Sequence, residues 1–410
     1  MVGSGPAGSV AALVLARGGA RVALVDKARF PRDKACGDLV GPRAVRVLEE
    51  LGIPASGARR VDDMVVVGPT GRRVDLPCPE GTTYPGHAIA VPRSRFDALL
   101  HDAAVSAGAE PRVGRAEEPR QSDDGSLRGF RLSTGEDIDA DIIVGADGAT
   151  SRVGKVAGLV DPERVLWGFA MRSYVDDQVT TPHIVFWDSS PRRGFPGYGW
   201  LFPGVDGRAN VGLGIGTLSD RSASSRVAAA FDSFSHHLLR TGVAKVIPPP
   251  AARRLGGWLK MGIVGTVPAS GRVLLVGDAA GLVNPLQGEG ISQAMTTGRA
   301  AAEAVLAGPA QAAGRYRTFV GASYGRYHGL AAAAQRKMLG RPRVISAAGR
   351  FLTLPGVGRP LAGSWSIFWN DLLDGALPGG DRRVAAGAMA AGRIVTAAGA
   401  TRHWLNESLG

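Results

Sequence analysis

The sequence predicts an α/β fold: a Rossmann-type nucleotide-binding domain with an inserted antiparallel β-sheet substrate domain and a helical C-terminal region. Three observations lead to this prediction. A glycine-rich turn near the N-terminus leads into an apolar helical pattern. Two later apolar runs, at 142–144 and 273–276, each end in a turn of glycine and aspartate, as the parallel strands of such domains do. The region from about 159 to 255 alternates apolar and polar residues and is rich in aromatic ones, which favours antiparallel strands.

The first element is a glycine turn, Gly3-x-Gly5-x-x-Gly8, followed by a helix. Gly3 permits the tight turn, Gly5 lets the backbone approach a pyrophosphate, and Gly8 lets the helix pack close to the strand. The N-terminus of that helix offers free N–H groups and a partial positive charge to phosphate groups. We expect Pro6 and Ala7, inside the turn, to belong to the same binding site.

The second strand, residues 21–25, ends at Asp26 and Lys27. A carboxylate at the end of this strand suits the hydroxyl groups of an adenosine ribose, so the whole unit predicts a dinucleotide site that includes both residues. Only Met1 and Val2 precede the glycine turn, whereas a strand normally has about five or six residues. We therefore expect the natural start of the protein to lie upstream of Met1.

The remaining elements follow from periodicity and from turn residues. Helical patterns occupy 43–51 and 95–107, and an alanine-rich helix extends to about 306. The later residues are mainly helical in pattern, with breaks at Pro355, Pro360 and Pro378. The predicted domains are a discontinuous cofactor domain (1–60, 90–158 and 265–310), a β-sheet substrate domain (61–89 and 159–264) and the C-terminal helical region (311–410).

Composition excludes several classes of protein. The 410 residues are 45% hydrophobic and 20% charged, as in globular proteins, and there is no apolar run of about 18 residues that would span a membrane. Two cysteines, Cys36 and Cys78, form no disulfide framework, and no zinc-type spacing of Cys and His predicts a metal site. The net charge of +12 favours anionic partners such as a membrane surface, but no nucleic-acid-binding motif is present. We expect a cytoplasmic protein, with peripheral membrane association as an open alternative.

Two further segments make the dinucleotide site specific. Residues 141–152 read DIIVGADGATSR, and residues 271–280 read GRVLLVGDAA. With the glycine turn, they resemble the aromatic-hydroxylase-like FAD superfamily, which includes para-hydroxybenzoate hydroxylase, flavin halogenases and geranylgeranyl reductases. The resemblance implies FAD as cofactor, with Asp278 on its ribitol side. It adds to the cofactor site Arg93, Asp147, Gly148, Gly277, Asp278 and Ala279.

Three segments resemble geranylgeranyl reductases in particular: FPRDKACGD at 30–38, YGWLFP at 198–203 and NPLQGEGI at 284–291. The resemblance, which runs to about residue 306, implies an FAD-dependent enzyme that reduces carbon–carbon double bonds of an isoprenoid lipid or quinone by hydride transfer. It adds to the cofactor site Cys36, Gly37, Pro285, Gly288, Gly290 and Ile291. It implies catalytic roles for Cys36, Tyr198 and Trp200.

The residues themselves suggest how this chemistry would be supported. Cys36 is a candidate for proton donation or for positioning, and we expect Lys34 and Arg32 to lower the pKa of its thiol. Tyr198 and Trp200 alternate with other residues along a strand, so they share one face with Phe202 and can wall an apolar tunnel.

The loop at 285–290 is expected to aim backbone N–H groups at the flavin, with Glu289 as its anchor. No second dinucleotide motif is present, which leaves NADPH or a ferredoxin-type protein as electron donor. The segment 341–373 mixes arginine with apolar residues, and it is interpreted either as a membrane-surface helix or as a lid on the enzyme.

Three other functions remain open at this point. The same scaffold serves flavin monooxygenases that act on aromatic or polyketide substrates. Flavin halogenases carry a strand motif, WxWxIP, that resembles residues 198–203, but here Tyr198 and Phe202 occupy its first and fifth positions. A flavin-binding lipid carrier without turnover is the non-enzymatic alternative.

Overall fold

The structure is a computed structural model, and it describes residues 1–77, 85–187, 197–218, 223–245, 253–339, 342–356 and 358. The helices are α1 (Pro6–Arg17), α2 (Pro42–Glu50), α3 (Arg93–Ser106), α4 (Arg152–Val156), α5 (Ala223–Arg240), α6 (Ile291–Leu306), α7 (Ala312–Val320), α8 (Arg326–Leu339) and α9 (Pro342–Leu352). A 3-10 turn spans Gly277–Ala280, and a π-helical turn, Gly321–Gly325, joins α7 to α8.

The strands fall into five hydrogen-bonded groups. In the first half of the chain they are β1 (Ala23–Asp26), β2 (Leu39–Val40), β3 (Arg59–Val61), β4 (Asp63–Val67), β5 (Arg73–Pro77), β6 (Ala88–Ala90), β7 (Glu110–Val113), β8 (Ala116–Gln121), β9 (Leu127–Leu132) and β10 (Asp137–Asp139). The second half contributes β11 (Ile143–Gly145), β12 (Leu166–Asp176), β13 (His183–Val185), β14 (Gly197–Pro203), β15 (Arg208–Leu218), β16 (Leu255–Met261), β17 (Ala269–Ser270) and β18 (Val273–Leu275).

The cofactor-type sheet is parallel at its centre. Strand β1 pairs with β7, and β11 pairs with β18, in both cases in parallel. Val2 joins the two pairs, because it bridges to Val25 on one side and to Gly145 on the other. The short N-terminal segment therefore occupies the central strand position that the glycine turn requires, next to the start of α1.

The larger sheet has seven strands in the order β16-β12-β15-β14-β13-β4-β5. Its neighbours are antiparallel except for β13 and β4, which are parallel. Helix α5 covers one face, where Phe231, Phe234 and Leu238 are fully buried against the sheet. The sequence pattern predicted strands throughout this region, and α5 is an addition to that prediction. Two small sheets, β2-β6-β3 and β10-β9-β8, complete the fold.

The predicted fold class is confirmed: a Rossmann-type unit, an inserted sheet and C-terminal helices are all present. No helix in the described ranges combines the length and hydropathy needed to cross a bilayer. Of the segment 341–373, interpreted above as a membrane-surface helix or a lid, the structure describes only 342–356 and 358. Cys78 also lies outside the described residues. The domain boundaries stay a prediction.

Helices α1 and α6 cross in close contact above the parallel sheet. Gly298 makes this possible, because a Cβ atom there would lie 2.2 Å from the carbonyl oxygen of Ala7. Such a distance is far inside van der Waals contact, so any larger residue would separate the two helices. The crossing places the N-terminal ends of both helices on the same side of the sheet.

Candidate active site

A cavity of about 470 Å³ lies where the cofactor-type unit meets the seven-stranded sheet. Its walls come from the start of α1, the loop before β2, strands β14 and β16, the loop before α6, and one face of α9. The predicted site residues that line it are Gly5, Pro6, Ala7, Cys36, Gly37, Arg93, Gly148, Tyr198, Trp200, Asp278, Pro285, Gly288, Gly290 and Ile291. Residues far apart in the sequence are thus brought to one place.

Seven predicted residues are not among those that line the cavity: Gly3, Gly8, Asp26, Lys27, Asp147, Gly277 and Ala279. The two carboxylates among them hold backbone in place. Asp26 accepts hydrogen bonds from the backbone N–H groups of Ser4 at 2.8 Å and Ala28 at 2.9 Å. Asp147 accepts from the N–H groups at the start of α4, with N···O distances of 2.7 and 3.0 Å. Contact of these residues with a cofactor stays a prediction.

The glycine turn has the shape that a pyrophosphate requires. Gly3 has φ of +100°, and a Cβ there would lie 2.3 Å from the carbonyl oxygen of Ala146. At Gly5 the space is open, because the nearest atom to an added Cβ would be a guanidinium nitrogen of Arg32 at 3.8 Å. No side chain caps α1, so its first N–H groups remain directed at the cavity wall formed by Gly5, Pro6 and Ala7.

Helix α6 presents a second N-terminus to the same cavity. No side chain caps this helix at Gly290, and Gly290, Ile291 and Ala294 line the cavity. Each helix start carries a partial positive charge, so two such charges face one space. An anionic ligand with two separate acceptor regions, such as FAD with its pyrophosphate and its flavin ring, fits this arrangement.

The loop before α6 is held by its own hydrogen bonds. The N–H groups of Leu286 and Gln287 donate to the side-chain oxygen of Asn284 at 3.0 and 3.3 Å, and that of Gly288 donates to its carbonyl oxygen at 2.8 Å. The expectation that N–H groups of 285–290 are aimed at a ligand is therefore wrong for these three. They close the turn instead.

Glu289 joins this loop to α6. Its Oε1 accepts from the N–H of Ser292 at 2.9 Å, which agrees with the expected anchoring role. Its Oε2 is buried and has no hydrogen-bond partner within the described part of the chain. Burial raises the pKa of this carboxyl group to about 7, and the hydrogen bond from the backbone of Ser292 offsets only part of this effect.

The aromatic face predicted on one strand is present on β14. Tyr198, Trp200 and Phe202 all line the cavity, with ring centroids 6.4 Å apart for the first pair and 6.1 Å for the second. The Trp200 indole N–H donates to Oδ1 of Asn210 at 2.9 Å, and the Tyr198 hydroxyl donates to the Gln287 carbonyl. Both polar ends are thus directed into the protein, which leaves apolar ring surface toward the cavity.

Cys36 lies in the loop that faces this wall, and its side chain is only partly buried. Desolvation raises the pKa of its thiol, while the nearby Arg93 guanidinium acts in the opposite direction. The sequence-based expectation of a pKa lowered by Lys34 and Arg32 is therefore wrong. Those two cations pair elsewhere: Arg32 with Asp97 at 2.8 Å and Lys34 with Asp278 at 3.4 Å.

Arg93 was predicted to lie against the cofactor, and it does line the cavity. Most of its hydrogen-bonding capacity is directed to Asp97, with Nε–Oδ1 at 2.6 Å and Nη2–Oδ2 at 2.7 Å. Both side chains are buried, and the bidentate pair fixes the guanidinium beside Cys36.

Sequence reasoning missed several residues that shape the site. Asp38 and Asn210 hold the Cys36 loop, and Lys260, which is fully buried, donates to the carbonyl oxygen of Ala279. Of these, only Asp38 lies in a segment that carried the resemblance. The sequence signal that was available is the odd-even alternation of β15, which places Val211 and Leu213 on one face and Asn210 on the other face, among glycines.

Comparisons with known proteins agree with this geometry. A sequence model of a family described as FAD binding domain matches residues 1–313. Menaquinone reductase from Mycolicibacterium smegmatis is 34% identical over 315 residues, which cover 75% of this chain and 76% of that protein. Digeranylgeranylglycerophospholipid reductase 2 from Methanopyrus kandleri is 34% identical over 318 residues, which cover 74% of this chain and 75% of that protein.

A solved structure has the same fold. The geranylgeranyl bacteriochlorophyll reductase-like protein from Thermoplasma acidophilum aligns with a TM-score of 0.69 over 91% of this chain and 94% of that one. Its sequence identity is 22%, so this likeness is evidence for the architecture.

Proposed function

The chain belongs to the geranylgeranyl reductase branch of the FAD-binding domain family, and from this premise we propose that it reduces carbon–carbon double bonds in the isoprenoid chain of a quinone or lipid. It is an FAD-dependent oxidoreductase. The substrate class is supported by the two relatives, one named for menaquinone and the other for a digeranylgeranylglycerophospholipid. Bound FAD supplies the hydride after its own reduction.

In this proposal, the two helix N-termini hold the cofactor. The start of α1 would hold the pyrophosphate through the backbone at Gly5 and Ala7, since Pro6 has no N–H to donate. The start of α6, at Gly290 and Ile291, would place the partial positive charge of the helix near the flavin ring.

The substrate would lie along the aromatic face of β14. Tyr198, Trp200 and Phe202 present apolar ring surface to the cavity, and their polar groups are hydrogen-bonded away from it. An isoprenoid has no polar groups to satisfy, so an apolar wall both binds it and excludes water. Exclusion of water matters because an isolated alkene is a weak hydride acceptor and must be held close to the donor.

Reduction of a double bond also requires a proton, and Cys36 is the proposed donor. Its raised pKa keeps the thiol protonated at neutral pH, which suits an acid better than a nucleophile. It faces the cavity that the aromatic wall also lines. The single observation that carries the proposal is this meeting of a protonated thiol, an apolar wall and two helix N-termini in one cavity.

The test is an anaerobic assay with FAD-loaded protein, a chemical reductant and a prenylated quinone. We expect each reduced bond to add a pair of hydrogen atoms to the product, read by mass spectrometry. Product formed only with oxygen and carrying an oxygen atom would indicate a monooxygenase, and dependence on halide would indicate a halogenase. A protein whose flavin no donor reduces would be a carrier.

The electron donor and the membrane contact are further parts of the proposal. The basic chain suits an anionic donor, either NADPH or a ferredoxin-type protein, and stopped-flow reduction with each one separates them. Helix α9 is proposed to rest on an anionic membrane surface, because Val344 and Phe351 are exposed on it beside Arg343 and Arg350.

A further inference from the structure

The loop that carries Cys36 is held from the seven-stranded sheet at both of its ends. Before the cysteine, Arg172 of β12 donates to Oδ1 of Asp33 at 2.5 Å and to the carbonyl oxygen of Lys34 at 3.3 Å. After it, the hydroxyl of Tyr174, two residues along the same strand, donates to Oδ2 of Asp38 at 2.5 Å. Two neighbouring positions on one face of a strand thus fix the loop.

Asn210 of β15 stands opposite Tyr174 in the strand register and holds the middle of the loop. Its Nδ2 donates to the carbonyl oxygen of Cys36 and to Oδ2 of Asp38, both at 2.8 Å. Its Oδ1 accepts the indole N–H of Trp200 at 2.9 Å. One fully buried amide therefore connects the aromatic wall to the backbone of the candidate proton donor.

Asp38 is unusual in both its backbone and its burial. It has φ of +62°, a conformation that costs a non-glycine residue about 1 kcal/mol, and it is only 2% exposed. Its Oδ1 accepts from the N–H of Arg93 at 3.1 Å, and its own N–H points at Sγ of Cys36 at 3.4 Å. The carboxylate therefore links the Cys36 loop, α3 and the large sheet.

We propose that Asp38 and Asn210 are positioning residues for Cys36, and that the Asp38 carboxylate also disfavours ionisation of the thiol. The proposal rests on the proposed function, because it assigns a purpose to a protonated Cys36. It gives the two residues different roles. The neutral amide of Asn210 positions the thiol relative to the aromatic wall, and the carboxylate of Asp38 favours the protonated thiol.

The charges around the two groups support these different roles. The guanidinium of Arg93 favours the thiolate of Cys36, whereas the carboxylate of Asp38 opposes it. Burial raises the pKa of Asp38 itself, and hydrogen bonds from Tyr174 together with the charge of Arg172 offset part of this effect. Burial, the largest influence on the pKa of the thiol, stays the same when the negative charge at position 38 is removed. The guanidinium of Arg93 is then no longer opposed by the carboxylate, so the pKa of the thiol should fall.

The experiment is alkylation of Cys36 by iodoacetamide in FAD-loaded protein over a range of pH, with Asp38→Asn as the variant. Asparagine keeps the shape and tolerates positive φ. Peptide mass spectrometry separates Cys36 from Cys78. We expect the midpoint pH of alkylation to fall by about one unit, with unchanged FAD content. The matched control is Asp206→Asn, because Asp206 also has positive φ (59°) but is exposed and pairs with Arg95 at 3.0 Å; the alkylation midpoint of Cys36 should not move in this variant.

Asn210→Ala tests the other half of the proposal. Because no charge changes, the alkylation midpoint should stay constant, while turnover falls about tenfold. If the midpoint pH of Cys36 alkylation is the same in Asp38→Asn and in the wild type, the charge role is wrong. This also holds if the alkylation rate rises by the same factor at every pH, because the midpoint then does not move. Full turnover in a folded, FAD-loaded Asn210→Ala variant would overturn the positioning role. Alkylation needs no substrate, so its result stands even if the protein reduces no isoprenoid.

Discussion

At the scale of single residues, the cavity combines a thiol and a carboxyl group whose pKa values burial raises. Desolvation raises the pKa of both Cys36 and Glu289. The two groups differ in access, because Cys36 is partly exposed toward the cavity whereas Oε2 of Glu289 is enclosed. This difference supports the proposal that the thiol delivers a proton, whereas Glu289 holds the loop through its hydrogen bond with Ser292.

Replacement of Cys36 tests the first of these assignments. Cys36→Ala should keep bound FAD and lose about 100-fold or more in turnover, because the proton donor is gone while the cofactor contacts remain. Flavin absorbance and single-turnover reduction of substrate measure the two properties separately. Cys78→Ala serves as the control, and retention of full turnover in the Cys36 variant would remove this residue from the mechanism.

Replacement of Glu289 tests the second assignment through stability. The folded pKa of about 7 lies above the ordinary value of 4.5 for a glutamate, so the folded state binds more protons between these values and loses stability as pH rises through them. The loss amounts to about 3 kcal/mol and is complete above about pH 7. Glu289→Gln should remove this loss of stability. The variant should therefore have a higher melting temperature than the wild type at about pH 8, but not at about pH 4.

Glu303→Gln is the control for that comparison. Glu303 is exposed and pairs with Arg299 on the surface of α6, at 2.7 Å. Exposed ion pairs contribute about 0 to 1 kcal/mol to stability. Substitution of Glu303 should therefore change the melting temperature only slightly, and by the same amount at both pH values. An equal pH dependence of Glu289→Gln and wild type would contradict the assignment.

At the scale of elements, the site depends on two helices whose starts converge. Helices α1 and α6 meet at Ala7 and Gly298, and residues at the N-terminus of each line the cavity. The Gly277–Ala280 turn fits between them, because a Cβ at Gly277 would touch both Ala7 and Ala294 at 3.1 Å. Separation of the helices would therefore move both partial positive charges relative to the cofactor.

Gly298→Ala is the test at this scale. An added methyl would overlap the carbonyl oxygen of Ala7, so the helices must part, and we expect a loss of about 1–3 kcal/mol in stability together with weaker FAD binding. Calorimetry and flavin titration measure the two effects. Gly314→Ala in α7 is the matched control: it has open space around its Cβ position, and alanine there should stabilise the helix by up to about 1 kcal/mol. Equal FAD affinity in both variants would show that the crossing does not set the cofactor site.

At the scale of the whole molecule, α9 connects the cavity to the outer surface. Ile345, Ala348 and Leu352 line the cavity, while Val344 and Phe351, on the adjacent face of the helix, are 42% and 58% exposed. With a net charge of +12 on the chain, this face is suited to an anionic bilayer in which a long isoprenoid substrate would reside.

Vesicle flotation tests this surface. The double variant Val344→Glu and Phe351→Glu should lose most binding to anionic vesicles, because it removes apolar contact and adds like charge. Wild-type binding should weaken as salt rises. Val113→Glu is the control, since Val113 is similarly exposed (40%) but lies on β7, and turnover with a short, dispersed isoprenoid should be unchanged in both variants. Equal flotation of the double variant and the wild type would rule out α9 as the contact.

The sequence by itself determined the cofactor unit and the aromatic face. The glycine turn, the strand that ends at Asp26 and the alternation at 198–202 are local patterns, and local patterns fix backbone conformation and the direction of successive side chains. For that reason the fold class and the convergence of three separated motifs were predictable from the residues alone.

The tertiary structure decided the protonation and the hydrogen bonds of the site. Burial raises the pKa of the Cys36 thiol. Lys34 and Arg32 are close in sequence, but they form ion pairs with Asp278 and Asp97, which are far away along the chain. The amide that holds the Cys36 backbone lies 174 residues away along the chain. A side chain's charge state depends on its hydration and on the groups packed against it, and these are known only once the sheets and helices are assembled.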